Sequence, residues 1–482
     1  MGSGGRAGWG VAALVLVVAA ILLVVQPYSA RESVAPGTVT LQVRQWSRVI
    51  ALNAVEDMAT ATIGNGQPGD SVWLDRRGDR AASASRLETV TVAAGSTAAH
   101  TQPHSYAGGV LRACGKAADR PEIRCSRWIG SQEPPPDRRT RALERLLDRY
   151  DHDTGLWEND ASTWQSADAL IAVIDYMART GDRQYLGYLD ETYRHGSVSR
   201  TGVPRDTGYN DDELWWAWAW VRAFDLTGDS RYLDAARAIA DRADTQRAAS
   251  CGGGLRWART GIDPQLHPWT QVNTITNGLY LTVTALLSTR VESASRPGYL
   301  GRAQQAWQWF TRQHGHALFD GSGLIDDHLD IDADNSCGVT DPGTRWTYDQ
   351  GVMMSALAAL YRATGSRDLL GAADAIAAAT TGPGSPFLQA GLLGEPAATD
   401  CPGPACHDAE VFKGVFVRSY RELLDTGHSR TVTADFLNRQ ADTLTGVDDE
   451  YGFRWQPLPQ PDDRPNFATQ TAALDALDAQ SP

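Results

Sequence analysis

Lysine is almost absent from this chain, because Lys116 and Lys413 are the only lysines among its 44 basic residues. Arginine therefore serves nearly every cationic position, and each retained lysine is a candidate for a specific role. An excess of basic charge is missing as well, since 58 acidic residues give a net charge of −14. A chain of this charge repels nucleic acid and anionic membrane surfaces. We expect a neutral or weakly charged partner and no nucleic acid.

Metal-site spacings are also missing. The ten histidines form no HExxH arrangement, and no cysteine pair is matched by a second pair at zinc-site spacing. Asp330 to Asn335, followed by Asp341, imitate a calcium loop, but Asn335 replaces the glycine at the sixth position and Asp341 replaces the bidentate glutamate. We interpret this segment as an acidic loop at a pocket rim, and a metal site is the alternative. Our prediction is no metal and no cofactor.

One long apolar run of 16 residues, from Gly10 to Val25, follows Arg6. Its length fits a long signal-peptide core or a slightly short membrane span. Cleavage after Ala30 would place Tyr28 where a small residue is preferred, so residues 1–30 are either a signal peptide or an uncleaved signal anchor. Both alternatives predict export, with the protein secreted or attached at the outer face of the cytoplasmic membrane.

Six cysteines suit an oxidising compartment. Cys114 and Cys125 are close enough in sequence to pair locally, and so are Cys401 and Cys406. Elimination then leaves Cys251 with Cys337, although six cysteines permit 15 pairings.

The chain divides into a β-rich part and a helical part. Residues 36–129 contain short runs rich in β-branched residues, which predict an accessory domain of strands. These runs are Thr38–Val43, Ser71–Leu74, Leu87–Val92 and Val110–Ala113. Consecutive prolines make residues 130–137 a stiff linker. Residues 138–482 then show helical periodicity.

One phrase occurs three times in the helical part, at Arg179–Leu186, Leu226–Leu233 and Ala363–Leu370. Each copy ends one helix at a glycine and starts the next. Six apolar helices are predicted to begin near Ser162, Asp211, Asn273, Tyr348, Phe412 and Asn466. Six amphipathic helices alternate with them, beginning near Arg139, Gln184, Arg231, Tyr299, Arg367 and Thr431. Apolar inner and amphipathic outer helices predict a closed (α/α)6 toroid, and an open helical solenoid is the alternative.

Polar and aromatic residues concentrate where the apolar helices begin. If those helices run parallel, these residues share one face of the toroid. Core helices do not carry so many polar groups at one end unless something is hydrogen-bonded there. Amides and carboxylates suit sugar hydroxyls, while aromatic rings cover an apolar sugar face. The predicted substrate-binding residues are Trp164, Gln165, Tyr209, Trp215, Asn273, Thr274, Asn277, Tyr348, Asp349, Gln350 and Lys413.

Asp211 and Asp212 open one of these helices, ahead of four tryptophans between Trp215 and Trp220. A helix cap is the ordinary explanation of acids at this position. Paired carboxylates beside aromatic rings are also what sugar cleavage requires, and their adjacency favours the short separation of retaining glycosidases. The field of the helix start favours an ionised nucleophile, and the neighbouring negative charge keeps the second acid protonated.

The helical part resembles glycoside hydrolase family 76, the endo-α-1,6-mannanase family. The matching phrases are Tyr209–Asp212 with Trp215–Trp216, Thr274–Leu279, Trp346–Gly351 and Phe412–Arg418. The resemblance implies an (α/α)6 barrel and a retaining mechanism, with Asp211 as nucleophile and Asp212 as acid/base. The β-rich part lies outside it and resembles an accessory segment found ahead of similar actinobacterial enzymes. Asp349 departs from the asparagine that relatives often carry, which adds a carboxylate near the pocket.

These observations predict an exported, endo-acting hydrolase of α-1,6-mannosidic linkages, acting as a monomer on α-mannan or a mannose-containing envelope glycan. One alternative is a transglycosidase of the cell envelope, because a sugar hydroxyl can capture the same covalent intermediate. Another is a glycan-binding protein without catalysis.

Overall fold

A computed structural model of the chain describes residues 38–45, 48–78, 84–119, 123–130, 137–157, 163–195, 202–339, 342–396, 407–455 and 463–481. The predicted signal segment, the prolines of the predicted linker, Asp341, Cys401 and Cys406 lie outside these ranges. Residues 48–130 belong to one compact unit and residues 137–481 to another. In the part of the chain that is described, no helix has the length and apolar character needed to cross a bilayer.

The N-terminal unit is built from two antiparallel sheets, one in the order β1-β2-β3-β6, with β7 also paired to β3, and one in the order β5-β4-β8-β9. The strands are β1 Thr38–Gln45, β2 Arg48–Val55, β3 Met58–Gly64, β4 Ser71–Arg77, β5 Ser85–Thr91, β6 Ala99–His100, β7 His104–Ser105, β8 Val110–Lys116 and β9 Ile123–Cys125. All four predicted runs are strands, whereas β2, β3, β6, β7 and β9 were not predicted.

Alternation along these strands produces the core of the β unit. Ile50 and Leu52 of β2, Val72 and Leu74 of β4, and Leu111 of β8 are fully buried and belong to one apolar cluster. Successive strand residues point to opposite faces, so each strand contributes every second residue to this core. The predicted Cys114–Cys125 disulfide is present and joins β8 to β9.

The second unit contains twelve α-helices within the described residues. They are α1 Arg138–Leu147, α2 Trp164–Thr180, α3 Leu186–Arg194, α4 Asn210–Thr227, α5 Ser230–Asp244, α6 Thr274–Arg290, α7 Arg296–Arg312, α8 Thr347–Thr364, α9 Arg367–Thr381, α10 Ala409–Leu424, α11 Ala434–Asp442 and α12 Phe467–Ala479. Short two- or three-stranded sheets lie in the connections. Their strands are β10 Tyr150–Asp151, β11 Leu156–Trp157, β12 Arg247–Ala248, β13 Gly254–Leu255, β14 Gln271–Asn273, β15 His328–Ile331, β16 Cys337–Gly338, β17 Leu388–Gln389, β18 Leu392–Leu393, β19 Gly446–Val447 and β20 Glu450–Tyr451. The described part of the unit also contains three 3-10 helices, at Ala249–Cys251, Pro268–Thr270 and His314–Leu318.

The even-numbered helices form a closed ring, because each contacts the next and α12 returns to α2. Burial separates the two sets of helices as the sequence predicts. All 13 residues of α12 are buried, whereas α1 buries four of its ten on one face. The (α/α)6 toroid is therefore confirmed and the open solenoid is wrong.

Three repeated glycines end inner helices as predicted. Gly181, Gly228 and Gly365 follow α2, α4 and α8 with φ of 76°, 73° and 75°. This left-handed conformation lets the glycine N–H bond back to the last helical turn, and glycine adopts it without a steric cost.

The second predicted disulfide, Cys251–Cys337, is also present and closes a sequence separation of 86 residues. It ties the 3-10 helix Ala249–Cys251 to the β15–β16 hairpin. Replacing both cysteines by serine should lower the free energy of unfolding of the helical unit by about 2–4 kcal/mol, because a cross-link over a long loop restricts the unfolded chain. Urea unfolding under oxidising conditions measures this. The double substitution of Cys114 and Cys125, in the other unit, should leave that transition unchanged.

Candidate active site

The two aspartates are the second and third residues of α4, and neither caps it. The capping position belongs to Tyr209, whose side chain makes no capping bond. Asp211 is 9% exposed, whereas Asp212 is half-buried. The Asp212 N–H donates to Asp211 Oδ1 at 3.0 Å, and the Thr207 hydroxyl donates to Asp212 Oδ2 at 2.7 Å. A capping role therefore does not account for this pair.

The environment of Asp211 differs from the expected one. Burial raises the pKa of Asp211 to about 7, against the opposing effect of hydrogen bonds from backbone N–H groups and the Trp257 indole, while Asp408 adds to the rise. The field of a helix start stabilises an anion by about 0.3–1 kcal/mol, less than one pKa unit. Burial therefore outweighs the field, and the pKa of Asp211 lies above its usual range although the helix start favours the ionised form.

This raised pKa predicts a pH-dependent gain in stability for Asp211→Asn. The native protein holds the Asp211 proton up to about pH 7, but the unfolded chain releases it near pH 4. Between pH 4 and 7 the unfolded chain ionises while the native carboxyl stays protonated, so the native state loses stability relative to the unfolded chain as pH rises. We expect Asp211→Asn to match the wild type near pH 4 and to exceed it by about 4 kcal/mol above pH 7.

Thermal unfolding of both proteins from pH 4 to pH 8 measures the difference. Asp368→Asn, at an exposed position in the first turn of α9, is the matched control. A difference between Asp211→Asn and wild type that stays constant with pH would contradict this account.

An aromatic cluster adjoins the pair. Trp215 lies one turn beyond Asp211 on α4 and stacks on Trp164, with centroids 5.7 Å apart. Phe412 stacks on Tyr348 at 3.7 Å and contacts the edge of Trp346 at 5.4 Å. Trp164 and Trp215 are buried, whereas Trp346 and Tyr348 are partly exposed. The exposed ring surface of the cluster is therefore that of Trp346 and Tyr348, whereas Trp164 and Trp215 are part of the buried core.

Asn277 and Gln350 were predicted to bind substrate, but their amides hold loop backbone. Asn277 bonds the N–H and C=O of Leu255, and Gln350 bonds the N–H and C=O of Ile325. Gln470 accepts from the Tyr451 N–H in the same manner. Each amide stands in the first turn of an inner helix and binds a preceding connection. Their polarity is explained by this anchoring, which corrects the prediction.

Three more predicted contacts also face protein. Gln165 donates to the His407 carbonyl at 2.7 Å, and the Thr274 hydroxyl donates to the Asp326 carbonyl at 2.6 Å. Asn273 caps α6 by accepting from the Thr276 N–H. A sugar hydroxyl would have to displace the polar contacts of Gln165 and Thr274, and we therefore assign these three to the scaffold. Tyr209 is partly exposed and lies 5.1 Å from the Trp257 ring.

Asp349 forms the centre of a second acidic group. It is fully buried, and neither of its carboxyl oxygens makes a hydrogen bond. Burial raises the pKa of Asp349 well above its usual range, and negative charges at Asp327, Glu395 and Asp211 raise it further. The aspartate that departs from the family phrase therefore lies in surroundings that favour its neutral form.

Lys413 is buried and faces protein groups. Its ammonium donates to the Phe453 carbonyl and lies 4.3 Å and 4.9 Å from the ring centroids of Phe453 and Trp455. Burial lowers the pKa of Lys413 to about 8, and Glu395 opposes that effect. Glu395 itself accepts from the Thr347 N–H and hydroxyl at the start of α8. The retained lysine thus has a specific position, but the contacts it makes are to protein.

Sequence reasoning missed a loop that contacts Asp211 and, on either side of the pair, Asn210 and Glu213. Trp257 donates to Asp211, the Asn210 N–H donates to the Trp257 carbonyl at 2.8 Å, and Arg259 binds Glu213 at 3.0 Å. This loop lies between α5 and α6 and has no helical or strand periodicity. Glu213, which follows Asp212 in the sequence, was the only residue that could have indicated a cationic partner such as Arg259.

The acidic segment Asp330–Asn335 forms the end of β15 and a tight turn. Ser336 donates from its hydroxyl to Asp332 and from its N–H to Asp334. Within the described ranges, the only group able to gather three metal ligands is Asp75 with Cys114 and Cys125. Those two sulfurs form a disulfide, so that group has no thiolates to offer.

The sequence matches the profile of glycosyl hydrolase family 76 over residues 137–481. Among curated proteins, the mannan endo-1,6-alpha-mannosidase DCW1 of Candida glabrata is 28% identical over 238 residues, which cover 45% of this chain and 49% of that protein. The mannan endo-1,6-alpha-mannosidase DFG5 of Candida albicans is 26% identical over 233 residues, with coverage of 45% and 49%. The chain thus spans about half the length of these curated relatives.

Solved structures share the fold. An inactive α-1,6-mannanase variant of Salegentibacter sp., with two consecutive aspartates replaced by asparagine and α-1,6-mannotriose bound, superposes with a TM-score of 0.61. It is 22% identical, and the match covers 71% of this chain and 98% of that one. Dfg5 from Chaetomium thermophilum, in complex with glucosamine, gives a TM-score of 0.60 at 18% identity, with coverage of 71% and 88%.

Proposed function

The chain belongs to glycosyl hydrolase family 76, and from this premise we propose that it cleaves α-1,6-mannosidic linkages within mannan chains by a retaining double displacement. The observation that carries the proposal is the Asp211–Asp212 pair at the start of inner helix α4, with an aromatic cluster one turn away. Two carboxyl groups beside sugar-binding rings are the machinery of glycoside cleavage.

In the proposed first step, ionised Asp211 attacks the anomeric carbon while Asp212 gives its proton to the departing glycosidic oxygen. A mannosyl ester of Asp211 forms and the linkage breaks. In the second step Asp212 takes a proton from water, the resulting hydroxide attacks the same carbon, and Asp211 is released. Two inversions return the α configuration.

The contacts of Asp211 support its proposed role. The Trp257 indole and the Asp212 N–H lower the pKa of the carboxyl group and so favour its ionised form, against the larger opposing effect of burial. A positive helix start lies beneath it. The Salegentibacter α-1,6-mannanase variant, in which two consecutive aspartates are replaced, is inactive. The curated relatives are named as mannan endo-1,6-alpha-mannosidases. Both support the assignment.

Incubation of residues 31–482 with linear α-1,6-mannan tests the proposal. Mass spectrometry should reveal short manno-oligosaccharides, and early NMR spectra should show α-anomeric reducing ends. Lengthened chains would instead identify a transglycosidase, and binding without products a glycan-binding protein. Cleavage of only β-linked or non-mannose glycans would contradict the proposal.

We further propose that the protein is exported, with α-mannan or a mannose-containing envelope glycan as its partner. The disulfide in each unit suits an oxidising compartment, and the apolar run at residues 10–25 is of signal-segment length. Fractionation of expressing cells, with N-terminal sequencing, distinguishes release from membrane attachment. Recovery of reduced protein in the cytoplasm would contradict export.

A further inference from the structure

One arginine clamps the segment that carries the aspartate pair. The Arg259 guanidinium donates to Asp206 through Nη2 and to Glu213 Oε1 through Nη1, the latter at 3.0 Å. Arg242, from outer helix α5, donates to the other oxygen of Glu213 at 2.9 Å. Asp206 and Glu213 lie on either side of the pair in sequence, so Arg259 joins the two ends of the segment that contains it.

Charge supports this clamp. Partial burial would raise the pKa of Asp206, but the hydrogen bond and charge of Arg259 lower it below its usual range. Burial would lower the pKa of Arg259, but Asp206 and Glu213 raise it. Asp206 and Arg259 are therefore both charged near neutral pH, and the guanidinium gives one hydrogen bond to each of two acids, Asp206 and Glu213.

Thr207 lies inside the clamped segment. Its hydroxyl accepts from the Tyr209 N–H at 3.4 Å and donates to Asp212 Oδ2 at 2.7 Å. The next residue, Gly208, adopts a φ of +85°, and a Cβ there would lie 2.4 Å from Ile262. The Arg259 N–H donates to the Gly208 carbonyl at 2.9 Å. Arg259 therefore fixes this turn with its backbone as well as its side chain.

We propose that Thr207 is a positioning residue for the Asp212 carboxyl group, and that Arg259 keeps Thr207 in place through Asp206, Gly208 and Glu213. The inference rests on the proposed function, in which Asp212 is the acid/base. A hydroxyl that binds Oδ2 fixes the rotation of the carboxyl group, and with it the direction in which the proton is delivered. Small misplacements of a catalytic group lower the rate strongly.

Two substrates that differ in their leaving group distinguish a positioning role of Thr207 from a purely structural one. α-1,6-Mannotetraose has a sugar leaving group that needs the Asp212 proton, whereas the leaving group of a dinitrophenyl α-1,6-mannobioside departs without one. Thr207→Val should lower kcat/KM about 10- to 100-fold on the tetraose and less than about 3-fold on the aryl substrate. Arg259→Met should show the same imbalance. Thr207→Ser, which keeps the hydroxyl, should keep the wild-type ratio.

Arg290→Met is the matched control, because Arg290 binds Asp225 with two hydrogen bonds of 2.6 and 2.7 Å at the far end of α4. This substitution should change kcat/KM for neither substrate. Equal losses on the two substrates in Thr207→Val, or no loss on either, would overturn the inference. If the wild-type protein cleaves neither substrate, both the proposed function and this inference are overturned. If the wild type is active but Thr207→Val keeps the wild-type ratio of kcat/KM between the two substrates, only this inference is overturned.

Discussion

Asparagine at position 211 should reduce kcat/KM for α-1,6-mannan by at least about 10³-fold, and asparagine at position 212 by about 10²- to 10⁴-fold. The first substitution removes the nucleophile, so no mannosyl ester can form. The second removes the proton for the leaving oxygen and the base for water. An amide occupies nearly the volume of a carboxyl group, so the buried layer around Asp211, which includes Trp215, should keep its packing.

Azide assigns the two roles separately. Sodium azide added to Asp211→Ala can attack the anomeric carbon directly, which displaces the glycosidic oxygen once and gives a β-mannosyl azide. In Asp212→Ala, azide instead attacks the mannosyl ester of Asp211, and two displacements give an α-mannosyl azide. NMR of the products distinguishes them. If Asp211→Ala gave the α-mannosyl azide and Asp212→Ala gave the β-mannosyl azide, the roles of the two aspartates would be exchanged.

Asp225→Asn is the control for these substitutions, because Asp225 lies in the last turn of the same helix and pairs with Arg290 on the surface. It should retain wild-type turnover. Full activity in Asp211→Asn would eliminate the covalent mechanism, and full activity in both asparagine variants would place the active site elsewhere.

The ring of helices was predictable because each of its signals is local. Apolar burial all round marks an inner helix, one apolar face marks an outer helix, and the left-handed glycines Gly181, Gly228 and Gly365 mark the turns. The bounds follow closely, since α6 begins at Thr274 and α12 at Phe467, each one residue after the predicted position.

The direction of polar side chains was not predictable from the same signals. Helical spacing places Asn277 and Gln350 in the first turn of an inner helix, but it does not tell whether a ligand or a loop meets them there. The loop backbone that binds them, at Leu255 and Ile325, lies 22 and 25 residues earlier. Trp257 and Arg259 were missed for the same reason, because their loop has no periodicity. Burial of Asp211 arises from tertiary packing and was therefore not predictable either.

Arg418 has the largest expected effect on stability. Its guanidinium, 3% exposed, binds Asp168 of α2 and Asp475 of α12, the latter at 3.2 Å, and it lies 5.3 Å from the ring centroid of Trp218 on α4. Arg418 itself belongs to α10, so one side chain contacts residues of three other inner helices. The two carboxylates raise the pKa of Arg418 against the opposing effect of burial.

Arg418→Met should therefore lower the free energy of unfolding of the helical unit by about 3–5 kcal/mol, because it leaves Asp168 and Asp475 buried without their cation. Adding Asp168→Asn and Asp475→Asn to this variant should recover much of the loss, since no buried charge then remains uncompensated. Urea unfolding followed by far-UV circular dichroism measures both. Arg290→Met, which breaks an ion pair whose carboxylate partner is 42% exposed, should cost no more than about 1 kcal/mol. If Arg418→Met cost as little as Arg290→Met, the buried cation would not be what holds the inner helices together, and apolar packing alone would have to account for the closure of the ring.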